Sequence, residues 1–109
     1  MSAVRIVEYL TAAGASPYAR WFDRLNAEAA AKVTTALYRL AQGNFSRVEG
    51  VGSGVFEYRI DFGPGYRIYF GKDGGSLVIL LGGGTKKRQQ KNIAAALQSW
   101  DDYKRRKAR

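Results

Sequence analysis

The chain has 109 residues, with 18 lysines and arginines against 9 aspartates and glutamates, a net charge of +9, and neither cysteine nor histidine. That composition excludes disulfide frameworks, thiolate zinc sites, cysteine nucleophiles and every histidine-based triad, so any catalysis must come from Lys, Arg, Tyr, Asp or Glu. A hydrophobic content of 46% suits one folded domain over residues 1–109, and the excess positive charge points to a polyanionic partner, the plain alternative being solubility alone.

Val4 to Tyr9 reads as a short first strand. The segment Met1 to Leu10 has no cleavage-type pattern, and no stretch approaches the roughly 20 apolar residues that span a membrane, so a cytoplasmic protein is expected. Gly14 breaks the strand; Ser16 as N-cap and Pro17 at the first helical position then start a helix. Trp21, Phe22 and Leu25 fall on one side of it, Arg20, Asp23 and Arg24 on the other. Asn26 can cap a second helix from Ala27 to about Gln42, whose buried stripe is Ala29, Val33, Ala36, Leu37 and Leu40. Gly43 suits its end.

Gly43 to Gly54 reads as a glycine-rich loop carrying Phe45, Arg47 and Glu49. Two alternating runs around Gly63-Pro64-Gly65 follow. Phe56, Tyr58, Ile60 and Phe62 would share one face with Tyr66, Ile68 and Phe70. A three-residue turn would set Phe62 opposite Tyr66, Ile60 opposite Ile68 and Tyr58 opposite Phe70, with Arg67 opposite Asp61 and diagonal to Arg59. Glu57, Arg59, Arg67 and Tyr69 then occupy the second face, where the function is expected. Lys72 to Gly75 forms another turn, and Ser76 to Leu81, continuously apolar from Leu77, reads as a central strand ended by Gly82, Gly83 and Gly84. A last helix runs from about Lys87 to Arg105 with Ile93, Leu97, Trp100 and Tyr103 as its stripe, and residues 104–109 form a basic tail expected to fray. The order is β-α-α-β-β-β-α, an α+β fold with an N-terminal strand and helical hairpin, a three-strand antiparallel meander and a C-terminal helix.

Gly50 to Gly54 precedes a strand instead of joining a strand to a helix, so it is no dinucleotide fingerprint, and Gly82 to Lys87 lacks the phosphate-loop spacing. Backbone amides at the last helix's start, with Lys86, Lys87 and Arg88 beside them, would still suit one phosphate; a flexible basic turn is the alternative. Arg59 and Arg67 could simply pair with Glu57 and Asp61 across strands. Clustered with Lys86 and Lys87, however, they suit a phosphodiester and its pentacoordinate transition state. Tyr69 is the tyrosine placed to stack on a base; the others fall in the core.

Residues Gly54 to Phe70 resemble the signature segment of the addiction-module killer proteins of the RelE/ParE toxin superfamily, close to its HigB-like branch. Leu80-Leu81-Gly82-Gly83-Gly84, Lys86-x-x-Gln89-x-x-Asn92-Ile93 and Trp100-x-x-Tyr103 continue the match over nearly the whole chain. The resemblance implies the toxin of a type II toxin–antitoxin pair, neutralised by a cognate antitoxin. It also implies a ribosome-dependent, metal-independent mRNA endoribonuclease that works through the ribose 2′-hydroxyl without a cofactor. By position, Arg59, Arg67 and Lys86 fall on sites of functional basic residues and Gln89 on the family's glutamine, while Asn92 stands where an aspartate is common. Glu57 or Lys86 would take the hydroxyl proton, and Arg59 and Arg67 would stabilise the phosphorane, with Lys87, Arg88, Gln89, Tyr69 and Arg47 holding RNA. Two rivals are a ParE-like inhibitor of DNA gyrase and a non-catalytic RNA- or ribosome-binding module.

Overall fold

Two side-chain caps fix the helical hairpin that the sequence announces. Ser16 Oγ accepts the Ala19 amide at 3.0 Å and Asn26 Oδ1 accepts the Ala29 amide at 2.8 Å, each satisfying an amide that a helix start leaves unbonded. The computed structural model describes residues 3–108. In chain order its elements are β1 (Arg5–Glu8), α1 (Pro17–Phe22), α2 (Ala27–Ala41), β2 (Val48–Gly52), β3 (Val55–Ile60), β4 (Tyr66–Asp73), β5 (Leu77–Thr85), a 3₁₀ turn (Lys86–Arg88) and α3 (Gln89–Lys107). The fold is α+β, and the five strands form one sheet in the order β1-β5-β4-β3-β2. β1 lies parallel to β5, and the rest is an antiparallel meander.

That meander has four strands where the sequence suggested three. The glycine-rich stretch supplies β2, which pairs with β3 as an edge strand. Ser53 and Gly54 make the connection with φ of 54° and 86°. Both central residues at positive φ is the geometry that lets a two-residue turn follow the twist of its strands. The second hairpin is also paired differently. Ile60 faces Tyr66, Tyr58 faces Ile68 and Arg59 faces Arg67, a shift of two residues from the expected register. The chain leaves the ladder after Ile60 because Phe62 N bonds back to Ile60 O and Gly65 N to Phe62 O, both at 3.0 Å. The connection therefore spans Asp61 to Gly65. A shift of two keeps every side chain on its face, so the apolar face survives and only the partners change.

Both faces of the sheet are covered. On one, Tyr18, Val33, Ala36 and Leu40 of α1 and α2 pack on Tyr58, Ile60, Ile68, Phe70, Val78 and Leu80. On the other, Ala96 and Trp100 of α3, with Ile93, Leu97 and Tyr103, pack on Val55, Tyr69, Ile79 and Leu81. The polar face expected to stand open is thus roofed by α3. Gly82 to Gly84 do not end β5, because they continue its pairing with Arg67 to Tyr69. A Cβ at Gly83 would collide with the Trp21 ring and one at Gly84 with the Asn92 side chain, so bare backbone is what lets α1 and α3 close on this strand.

Within the basic C-terminal end expected to fray, α3 continues to Lys107. Tyr9 Oη donates to Asp102 at 2.6 Å, and Arg106 reaches both Asp102 and the Leu10 carbonyl. Tyr103 Oη donates to Asp73 at 2.6 Å, which also accepts from Lys107. Two tyrosine–aspartate–cation clasps therefore pin the last turns of α3 to the chain after β1 and to the end of β4. Arg109 lies outside the described residues.

Candidate functional site

Strand pairing brings Glu57 of β3 opposite Tyr69 of β4, and Arg59 opposite Arg67. Glu57 and Arg67 are the buried charged residues of the described chain, 2% and 6% exposed. Glu57 is held by the start of α3, and Arg67 by Glu57 and its own strand. Gln89 Nε2 donates to both oxygens of Glu57, at 3.0 and 3.1 Å, and Arg67 Nε lies 3.9 Å from Glu57 Oε1. At that distance the pair is ionic without a direct hydrogen bond. Arg67 Nη1 donates to the Tyr66 carbonyl at 3.3 Å. Its tip turns toward the Gly65 corner, where a methyl group would lie 3.5 Å from Nη1 and 3.4 Å from Lys86 Cβ. Lys86 N donates to Gly65 O at 2.7 Å. The turn and the 3₁₀ segment are thereby joined, with Arg67 inside the corner and Lys86 outside it.

Three buried polar atoms here have no protein partner: Arg67 Nε, Tyr69 Oη and Asn92 Oδ1. They belong to one neighbourhood, since Tyr69 follows Arg67 on the same face and Asn92 rests on Gly84, the β5 partner of Arg67. Burial first, then the adjoining Glu57 charge, pushes the Tyr69 hydroxyl well above the ordinary tyrosine pKa. Its ring is fully enclosed, so Tyr69 cannot stack on a base. α3, which the sequence left unplaced, covers it.

The exposed cations divide into two groups. Arg59 stands at the surface, 3.2 Å from Glu49 of β2, while Lys86, Lys87 and Arg88 with Lys91 line an open groove along the start of α3. Arg47 is not brought to this cluster. It pairs with Asp61 at 2.9 Å and lines a pocket with Lys32 and Arg39 of α2, on the other side of the sheet. The amide cradle expected at the start of the last helix, near Lys87, is also displaced, because a 3₁₀ turn takes Lys86–Arg88 and the α-helix begins only at Gln89. Among the described residues no group of three or more acidic side chains is placed to hold a metal ion. Asn92, Arg20 of α1 and Arg24 just beyond it acquire neighbours that the sequence did not signal, because β5 extends past its glycines to meet them.

The family described as "Phage derived protein Gp49-like (DUF891)" matches residues 20–103, which take in the second half of α1, all of α2, the meander and most of α3. The chain belongs to the Gp49-like family. That family is associated with toxin–antitoxin systems. An uncharacterized protein of Haemophilus influenzae is 47% identical over 59 residues, an alignment spanning 53% of this chain and 60% of that relative. No helix among the described residues of the Gp49-like chain is long and apolar enough to cross a membrane.

Proposed function

We propose that this Gp49-like protein is the toxin of a type II toxin–antitoxin pair, of the RelE/ParE superfamily near its HigB-like branch, and that it cuts mRNA on the ribosome. The observation that carries the proposal is the Gly65 corner, where the buried Arg67 meets the exposed Lys86 beside the surface cation Arg59. A dianionic phosphorane is what such a set of fixed positive charges stabilises better than the ground-state diester.

In the proposed reaction the ribose 2′-oxygen bonds to the adjacent phosphorus and the bond from phosphorus to the departing 5′-oxygen breaks. The hydroxyl proton passes to the protein and the leaving oxygen takes one from solvent. Of the two candidate acceptors, Glu57 has both oxygens engaged by Gln89 and is closed from solvent. Lys86 is exposed; in this reading its neutral amine takes the proton and becomes the ammonium that faces the phosphorane, while Glu57 positions Arg67. Gln89 then acts through Glu57, and Lys87 and Arg88 hold the flanking phosphates. Arginine stays protonated throughout and serves as a charge, not a base. The ribosome supplies substrate orientation, which accounts for a site with so few acid–base groups. The experiment is cleavage of a defined mRNA by purified protein with and without translation, comparing wild type with Lys86→Ala and Arg59→Ala. Translation-dependent cuts reduced at least tenfold in each variant support the assignment, tenfold being about 1.4 kcal/mol of transition-state stabilisation.

A further inference from the structure

β1 stops pairing at Glu8–Leu80, with Tyr9 N donating to Leu80 O as the last bond. Beyond that point, among the described residues, β5 has a strand only on its β4 side, and Gly82 to Thr85 present a free backbone edge. A cleft of about 600 Å³ runs along this edge between α1 and α3. Its charged lining residues are Arg20, Arg24 and Arg88, with no Asp or Glu among the described residues that line it. All three arginines are exposed and none of them is in an ion pair among the described residues. Three unpaired like charges around one concavity repel each other and focus positive potential into it. A structural role would have left carboxylates among them, as at Arg47–Asp61 and Arg59–Glu49.

We infer that this cleft is a second phosphate-binding site for single-stranded RNA, continuous with the site at the Gly65 corner. Continuity selects the ligand. Arg88 lines both the cleft and the groove of Lys86, Lys87 and Lys91. One uninterrupted cationic track therefore runs from α1, over the start of α3, to the corner where Lys86 meets Arg67. A flexible chain of evenly spaced phosphates follows such a track; guanidinium forks and free backbone amides are its natural donors. Trp21, half-buried on Gly83 at the cleft floor, gives an aromatic edge beside the path. The inference rests on the RNA reading for the identity of the ligand, but its test does not require cleavage.

The test is fluorescence anisotropy with a short single-stranded 2′-O-methyl RNA, which cannot be cut through a 2′-hydroxyl, titrated over a range of salt. Arg20→Ala/Arg24→Ala is compared with Arg5→Ala/Arg105→Ala, which removes the same charge from exposed positions outside the cleft. Loss of two phosphate contacts should lower the slope of log K against log salt by about 1.4, with the control double changing it by less than half as much. Arg88→Ala should lower it by about 0.7, reporting the same cleft from the α3 side. Thermal melting of each variant accompanies the titrations. Identical slopes for the two doubles would overturn the inference, as would wild-type protein that ignores the RNA but binds polyglutamate, which would give the cleft to an acidic protein. Loss of mRNA cutting in the translation assay with this RNA binding intact would instead reject the nuclease reading and leave the cleft standing.

Discussion

At the scale of single residues, the two arginines that face each other across β3 and β4 have opposite economies. Arg59 is exposed and its pair with Glu49 is solvated, so Arg59→Ala should change stability by less than about 1 kcal/mol. Arg67 is enclosed with Glu57, and Arg67→Ala would strand a buried carboxylate at a cost of about 3–5 kcal/mol. Urea melts of the two variants test that contrast directly, and near-equal losses would refute the buried pair. Gln89→Ala removes the amide donor that serves both oxygens of Glu57 and should cost about 1.5–3 kcal/mol, as expected for hydrogen bonds to a charge. Tyr69→Phe goes the other way. Its hydroxyl is buried without a partner, so deleting that oxygen should leave the melting temperature unchanged or raise it. A clear fall would mean that the hydroxyl has a partner in solution. These four variants also explain why activity is better read from Lys86 and Arg59 than from Arg67, whose loss mixes folding with chemistry.

At the scale of elements, β5 and α3 decide the architecture. Gly83 accommodates the Trp21 ring against its backbone, and Gly83→Ala should destabilise by about 1–3 kcal/mol through overpacking. Thermal melting checks it, and a neutral result would mean that α1 does not seat on β5. The clasps on α3 give a pH dependence. The Asp73 carboxyl is lowered chiefly by its bonds from Lys107 and Tyr103, and Asp102 chiefly by its bond from Tyr9, with Arg106 adding to it. A depressed carboxylate contributes stability that is full above its unfolded value, near 3.9, and lost as pH falls through its folded value. Trp100 fluorescence should therefore report loosening of α3 only below about pH 4, and Asp73→Asn/Asp102→Asn should flatten that part of the profile. Much of this layer was legible in the sequence. Ser16-Pro17, Asn26 and the stripes of α2 and α3 act locally, through caps and helical spacing, and fall where their residues place them. What local signals could not give was pairing. The Ser53-Gly54 turn was a usable cue for β2, but the bonds that end β3 at Ile60 depend on how Asp61 to Gly65 fold back. The glycines of β5 read as a stop because their use, receiving Trp21 and Asn92 from distant segments, is a tertiary fact.

At the scale of the whole molecule, a net charge of +9 is carried on a sheet whose two faces are both buried, so the cations work from its margins. Lys86, Lys87, Arg88 and Arg59 stand at the surface around the enclosed Glu57–Arg67 pair. The sequence named these residues and grouped them, yet could not separate the exposed from the enclosed, because only the docking of α3 makes that distinction. It also counted Arg47 and Tyr69 with the RNA-binding set; the first lies across the sheet and the second inside it. In the proposed function the margin at the Gly65 corner acts on mRNA held by the ribosome. Primer-extension mapping of a defined mRNA in a purified translation system, with wild type and Lys86→Ala in parallel, tests this most directly. Discrete cuts that require translation should appear and should fall at least tenfold in the variant, a loss of about 1.4 kcal/mol. Intact mRNA in the presence of folded wild-type protein, with inhibition of DNA gyrase supercoiling by the same preparation, would contradict the proposed function.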